Sequence, residues 1–155
     1  MLNGDMIRRL AILVFVSLVG CAPPALSREP RVDDVVLVTE TGEHPLKLEV
    51  AATPKEWEKG LMYRRSLEGI DGMLFLFDDD SPHAMWMKST YIPLDILFLD
   101  DAGTVTTIHA GAKPHDLTPL PSNGPASGAI ELAAGAAAKL HVAIGNHVRH
   151  PAFSR

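Results

Sequence analysis

The stretch Pro93-Leu94-Asp95-Ile96-Leu97-Phe98-Leu99-Asp100-Asp101-Ala102-Gly103-Thr104-Val105-Thr106-Thr107-Ile108-His109 decides the fold. Two runs, Pro93–Leu99 and Thr104–His109, flank Asp100-Asp101-Ala102-Gly103. The acidic pair and the glycine read as a turn, with glycine where positive φ is favoured. The flanking runs are too short for stable helices and rich in β-branched and apolar residues, so they read as strands. Similar short runs recur on both sides. Upstream lie Val35–Val38 and Leu46–Val50, with Thr41-Gly42-Glu43 as a hairpin turn between them, then Gly72–Phe77 and Ala84–Lys88. Downstream, Ser127–Leu132 and His147–His150 follow a proline-rich loop over Pro114–Pro125.

Two short helices complete the pattern. Thr53-Pro54-Lys55-Glu56 combines a capping threonine, a proline suited to the first helical position and a glutamate for a capping box. The helix runs from Pro54 to about Met62, with Trp57 and Leu61 on one face. Ala133–Leu140 is alanine-rich and helical by propensity, weakened by Gly135. Six to eight short strands with two small helices predict an α+β, β-rich domain, folded as a small, partly closed β-barrel.

The N-terminus reads as an export signal. Arg8 and Arg9 precede the apolar run Leu10–Val19, which is too short to span a bilayer as a helix. Leu18-Val19-Gly20-Cys21 matches a bacterial lipobox around the only cysteine. The expected division is a lipoprotein signal peptide over 1–20, a lipidated tether over 21–33 and one domain over 34–155. An ordinary secretory cleavage after Ser27 is the alternative. Cys21 is the expected lipidation site, and lipid there would hold the protein to the periplasmic face of a membrane. Ala22 follows the cysteine, with no aspartate there to signal inner-membrane retention, which points to the outer membrane. Loss of Arg8, Arg9 and Asp5 with the leader would shift the net charge from -5 to -6. Such a domain, without a basic stripe, is a poor binder of nucleic acid. With no second cysteine, it forms no intramolecular disulfide.

From Gly60 onward the chain resembles domain-of-unknown-function family 192. The residues that carry this are Gly60-Leu61-Met62-Tyr63-Arg64, Gly72-Met73-Leu74-Phe75, and Trp86-Met87-Lys88-Ser89-Thr90 followed by Ile92-Pro93-Leu94-Asp95. Ile130-Glu131-Leu132 and then Ala134-Gly135 also match, and the resemblance spans about Leu46 to Phe153. It departs from the family at Ser89, where asparagine is usual. It also lacks the cysteine that some members carry after the central hairpin, so no thiol chemistry transfers. The resemblance implies a small barrel-like domain with short helices; the family has no established activity.

Two side-chain sets are candidates for function. Met62, Met73, Met85 and Met87, with His83 and Trp86, are soft donors beside an aromatic face, a combination that suits Cu(I). His83, Met85 and Met87 would be its ligands. Methionine also fills cores without any ligand role. The polar set is Arg64, Lys88, Asp95 and Glu131, embedded in apolar motifs where buried charges need partners. It reads as an ion-pair network, with Arg64 or Lys88 facing Asp95 or Glu131, or as a site for an anion or a carbohydrate. Asp78-Asp79-Asp80 reads as a solvated turn, with Ca²⁺ binding as the sharper alternative.

No zinc-protease, nucleophile-elbow or phosphate-loop motif occurs, and no catalytic residue is assigned. The expectation is a lipid-anchored binding or interaction module at the cell envelope, with Met62, Arg64, Met73, Trp86, Met87, Lys88, Asp95 and Glu131 as binding residues. Its partner would be an envelope protein or glycan, and its cofactor is left open. A Cu(I)-handling protein and a small glycan hydrolase or lyase using Asp95 and Glu131 are the alternatives.

Overall fold

The computed structural model describes residues 30–153. The expected signal peptide, most of the tether and the lipidation site at Cys21 lie outside the described residues. Among the described residues nine strands form in chain order: β1 (Val32–Thr39), β2 (Gly42–Ala51), β3 (Gly72–Leu76), β4 (Pro82–Met85), β5 (Leu94–Leu99), β6 (Val105–Ala112), β7 (Leu120–Pro125), β8 (Gly128–Ala133) and β9 (His147–Arg149). Two short helices, α1 (Pro54–Lys59) and α2 (Ala136–Lys139), and a 3₁₀ turn at Pro151–Phe153 complete the fold.

Seven strands make one sheet in the order β6-β5-β8-β3-β2-β1-β9. Its two ends return to each other. Thr104, just before β6, bridges His147 at the start of β9. Val105 N–H donates to the Asn146 carbonyl at 2.8 Å, and Val148 N–H donates to the Gly103 carbonyl at 2.8 Å. The expected partly closed barrel is thus formed, with the start of β6 joined to β9.

Alternation along the strands divides the apolar residues between two cores. Val35, Leu37, Leu48, Leu74, Leu97, Leu99, Ile130, Leu132 and Val148 fill the inside of the barrel, together with Ala137 of α2 and Phe153. The intervening residues Met73, Phe75, Leu94, Ile96, Phe98 and Ala129 point outward. That outer face is covered by Leu61, Met87 and Ala126, with Trp57 of α1, Met85 of β4 and Leu120 of β7 packed against it. β5 is buried along its whole length because both its faces are covered. This explains why its sequence is nearly all apolar.

The differences from the expected elements have local causes. Pro114–Pro125, expected to be loop throughout, contains β7. That strand pairs only with β4, so its prolines remove no ladder bond from a central strand. The strand expected over Ala84–Lys88 stops at Met85. Beyond it Met87 N–H donates to the Asp116 carbonyl, and Ser89 takes φ 52°. The predicted helix to Met62 stops at Lys59, because Gly60 takes φ +44° and leaves the helical path. Its N-terminus is as expected: Thr53 accepts from Glu56 N–H at 3.4 Å, and Glu56 reaches back to Ala52 N–H at 2.9 Å.

Candidate functional site

Glu131 lies mid-strand in β8, directly opposite Met73 of β3 on one side and Ile96 of β5 on the other. Both neighbours are apolar and buried. Glu131 is itself only 4 % exposed. Its Oε2 is the one fully buried side-chain polar atom among the described residues with no hydrogen-bond partner. Burial pushes its carboxyl up to about 8, because the charged form is desolvated with nothing to compensate it. At neutral pH this side chain is mostly a carboxylic acid.

The polypeptide after α1 closes over this acid. A Cβ on Gly60 would lie 3.3 Å from Phe75 Cζ and 3.8 Å from Glu131 Oε2. The positive φ and this close approach both call for glycine here. Around Gly60 and Glu131 opens a pocket of about 300 Å³. Its walls include Trp57, Phe75, Phe77, His83 and Trp86, with the thioethers of Met62 and Met85. Trp57 meets Phe77 edge-on at 5.7 Å, and its indole N–H donates to the Ala51 carbonyl at 3.0 Å, which fixes the ring. The His83 ring stacks on Phe77 at 3.9 Å, while its Nε2 lies 3.0 Å from Asp79. Trp86 is 44 % exposed and forms part of the rim, with Lys88 Nζ 4.9 Å from its ring centroid. The site is therefore an aromatic pocket with a lone acid at its base, the architecture of a small-ligand site.

The family profile of DUF192, described as an uncharacterized ACR, matches residues 36–150. The chain belongs to the DUF192 family. Two solved structures resemble this DUF192 chain. One is a protein from Sinorhizobium meliloti 1021 described as a candidate transcription regulator. It is 41% identical with a TM-score of 0.74, over 77% of this chain and 94% of that one. The other is a protein of unknown function from Novosphingobium aromaticivorans DSM 12444. It is 36% identical with a TM-score of 0.76, over 81% and 89% of the two chains. No curated protein matches this DUF192 chain.

The residues expected to act together in the DUF192 domain separate into several places. Met62, Trp86 and Glu131 line the pocket. Met73 lies beside Glu131 in the sheet. Arg64 pairs with Glu49 at 2.5 Å, not with Asp95 or Glu131. Lys88 covers Trp86. The expected network of Arg64 or Lys88 with Asp95 or Glu131 is thus replaced by separate contacts. Of the three candidate Cu(I) ligands, His83 and Met85 line the pocket, but Met87 is 1 % exposed within the outer core and does not. Met85 and Met87 do not share a strand face, because the strand ends between them. The Asp78–Asp80 turn uses its carboxylates locally: Asp79 accepts from Ser81 N–H and Oγ–H, and Asp80 from Ser127 Oγ–H.

Asp95 and Glu131 point to opposite faces of the sheet. Asp95 pairs in register with Leu132 of the inner core, whereas Glu131 pairs with Ile96 of the outer core. They share no cleft, so the two-carboxylate hydrolase or lyase arrangement does not form. Asp95 is instead a structural clamp. Its Oδ1 accepts from Gly111 N–H at 2.8 Å, and its Oδ2 accepts from Ala137 N–H at 2.9 Å. The second bond caps α2, whose own N-cap, Gly135, has no side chain to do so. Asp95→Ala is expected to lower unfolding free energy by about 2 kcal/mol, mainly by stranding the Ala137 N–H. Denaturant titration reads this loss directly, and unchanged stability would contradict the clamp.

Sequence reasoning missed Gly60, Trp57 and Phe77 as parts of one site. Trp57 reads as the apolar face of a short helix and Phe77 as the end of a strand. Only the turn at Gly60 brings them over Glu131.

Proposed function

We propose that this DUF192 protein is a lipid-anchored binding module of the bacterial cell envelope, and that its site is the pocket over Glu131. The observation that carries this is a buried carboxyl oxygen without a partner at the base of an aromatic pocket. A buried polar group left unpaired costs on the order of 1–3 kcal/mol, and a ligand that donates a hydrogen bond to it recovers that cost. The aromatic rings give the ligand an apolar surface to pack against. The lipobox at Leu18–Cys21 and the preceding charged and apolar segments support export and anchoring. A second reading, Cu(I) handling, is favoured by the gathering of Met62, His83, Met85 and Trp86 around the same pocket.

Nuclear magnetic resonance of the full chain in detergent micelles, titrated with a library of small aromatic and polar fragments, tests the proposal. Binding fragments are expected to shift the signals of Trp57, Gly60, Phe77 and Glu131 together. A library with no effect on these four, or with hits confined to other surfaces, overturns it. Cu(I) that shifts the Met62 and Met85 methyl groups, with no fragment binding, favours the second reading.

A further inference from the structure

The chemistry of the pocket narrows its occupant, on the reading that the pocket is a ligand site. The rings of Trp57, Phe77 and Trp86 are among those that line it, and aromatic faces attract cations through their quadrupoles. Its base is a carboxyl group with no ion-pair partner among the described residues. We infer that the pocket over Glu131 takes a small organic ammonium ion, paired to the Glu131 carboxylate and surrounded by the rings of Trp57, Phe77 and Trp86. A neutral ligand could use the hydrogen-bonding capacity of the acid, but it would leave the cation-attracting walls unused. An ammonium group uses both.

Among the described residues no cation is hydrogen-bonded to Glu131 Oε2, and Lys59 is the lysine that shares its pocket. From β3 Glu131 meets Met73 and Phe75, and from β5 Ile96, none of which titrates. Glu58 and Lys59 at the end of α1 line the same pocket, as does His83 of β4, which is engaged by Asp79. Farther along the same row of the sheet, Glu49 is paired with Arg64, and His109 lies beyond Ile96. Binding is a balanced exchange. The ammonium enters with its charge, Glu131 gives its proton to solvent, and the pair left behind is neutral overall. The affinity therefore rises with pH while Glu131 is still protonated in the free protein, up to about 8.

Calorimetric titration of the full chain in micelles with benzylammonium, and with benzyl alcohol as its uncharged counterpart, tests this. Benzylammonium is expected to bind with an affinity that rises about tenfold per unit from pH 6 to pH 7.5. Buffers of different ionisation enthalpy should reveal release of close to one proton. Glu131→Gln should weaken benzylammonium at least tenfold at pH 8. Trp86→Leu, at the rim, should weaken it several-fold and keep the pH slope. Benzyl alcohol should bind more weakly and without pH dependence. If the alcohol binds as tightly as the amine, or if Glu131→Gln keeps the amine affinity, the ammonium assignment is overturned and the pocket stands as a site for neutral ligands. If neither compound binds while other fragments shift the pocket signals, the ammonium assignment alone fails. If the fragment library is silent too, both readings fail.

Discussion

Gly72→Ala is expected to destabilise the protein by about 3 kcal/mol or more. Gly72 opens β3, between β2 and β8, with Leu48 and Leu132 as its register partners. A Cβ there would lie 2.0 Å from the backbone carbonyl oxygen of Glu131. That atom belongs to a central strand held on both sides, so it cannot move without opening the ladder between β3 and β8. The obstacle is purely steric, since Gly72 is not among the positive-φ glycines. Gly124→Ala is the matched control. It also lies in a strand, but nothing comes within 4 Å of its added Cβ. Its unfolding free energy should stay within about 0.5 kcal/mol of native. Equal denaturation midpoints for the two variants would contradict the close approach of β3 and β8.

The same strand pair shows how much of the molecule was legible in the sequence. The central hairpin was readable because its apolar runs and acidic glycine turn are local signals. So were the start of α1 and most strand positions. β7 was not, since its prolines signal loop unless the strand lies in a two-stranded layer outside the main sheet. The roles of Asp95 and Glu131 were also hidden. Each is a lone acid in an apolar strand, and in sequence they look alike. Pairing Asp95 with Leu132 and Ile96 with Glu131 sends one into the barrel and the other to the outer face. A one-residue offset changes the face completely, and that register is a property of the assembled sheet. Asp95 then meets two N–H donors and becomes structural, while Glu131 meets none. The pocket was legible only in fragments, because Trp57, Gly60, Phe77, His83 and Trp86 converge through turns with no periodic signature.

Glu131 is kept in the core as an unpaired acid, and this makes stability depend strongly on pH. In the unfolded chain the group titrates near its ordinary value of 4.5, and in the folded protein it is pushed up to about 8. Between these values the folded state holds a proton that the unfolded state has lost, so rising pH favours unfolding. The contribution is fully present below about pH 4.5, declines by about 1.4 kcal/mol per pH unit, and levels off above about pH 8. From pH 5 to pH 8 the loss sums to roughly 4 kcal/mol. Glu131→Gln keeps the size and removes the titration. Any fixed cost of burying the amide shifts the whole curve without changing its slope. Every other ionisable group is the same in both proteins, so the difference between the two isolates Glu131.

Unfolding free energy of the native chain and of Glu131→Gln should therefore be measured by denaturant titration at pH 5, 6, 7 and 8. The difference between them is expected to move in favour of the glutamine variant by several kcal/mol as pH rises. Two parallel curves would mean that Glu131 is already partnered or solvated in the folded protein, and would contradict the account.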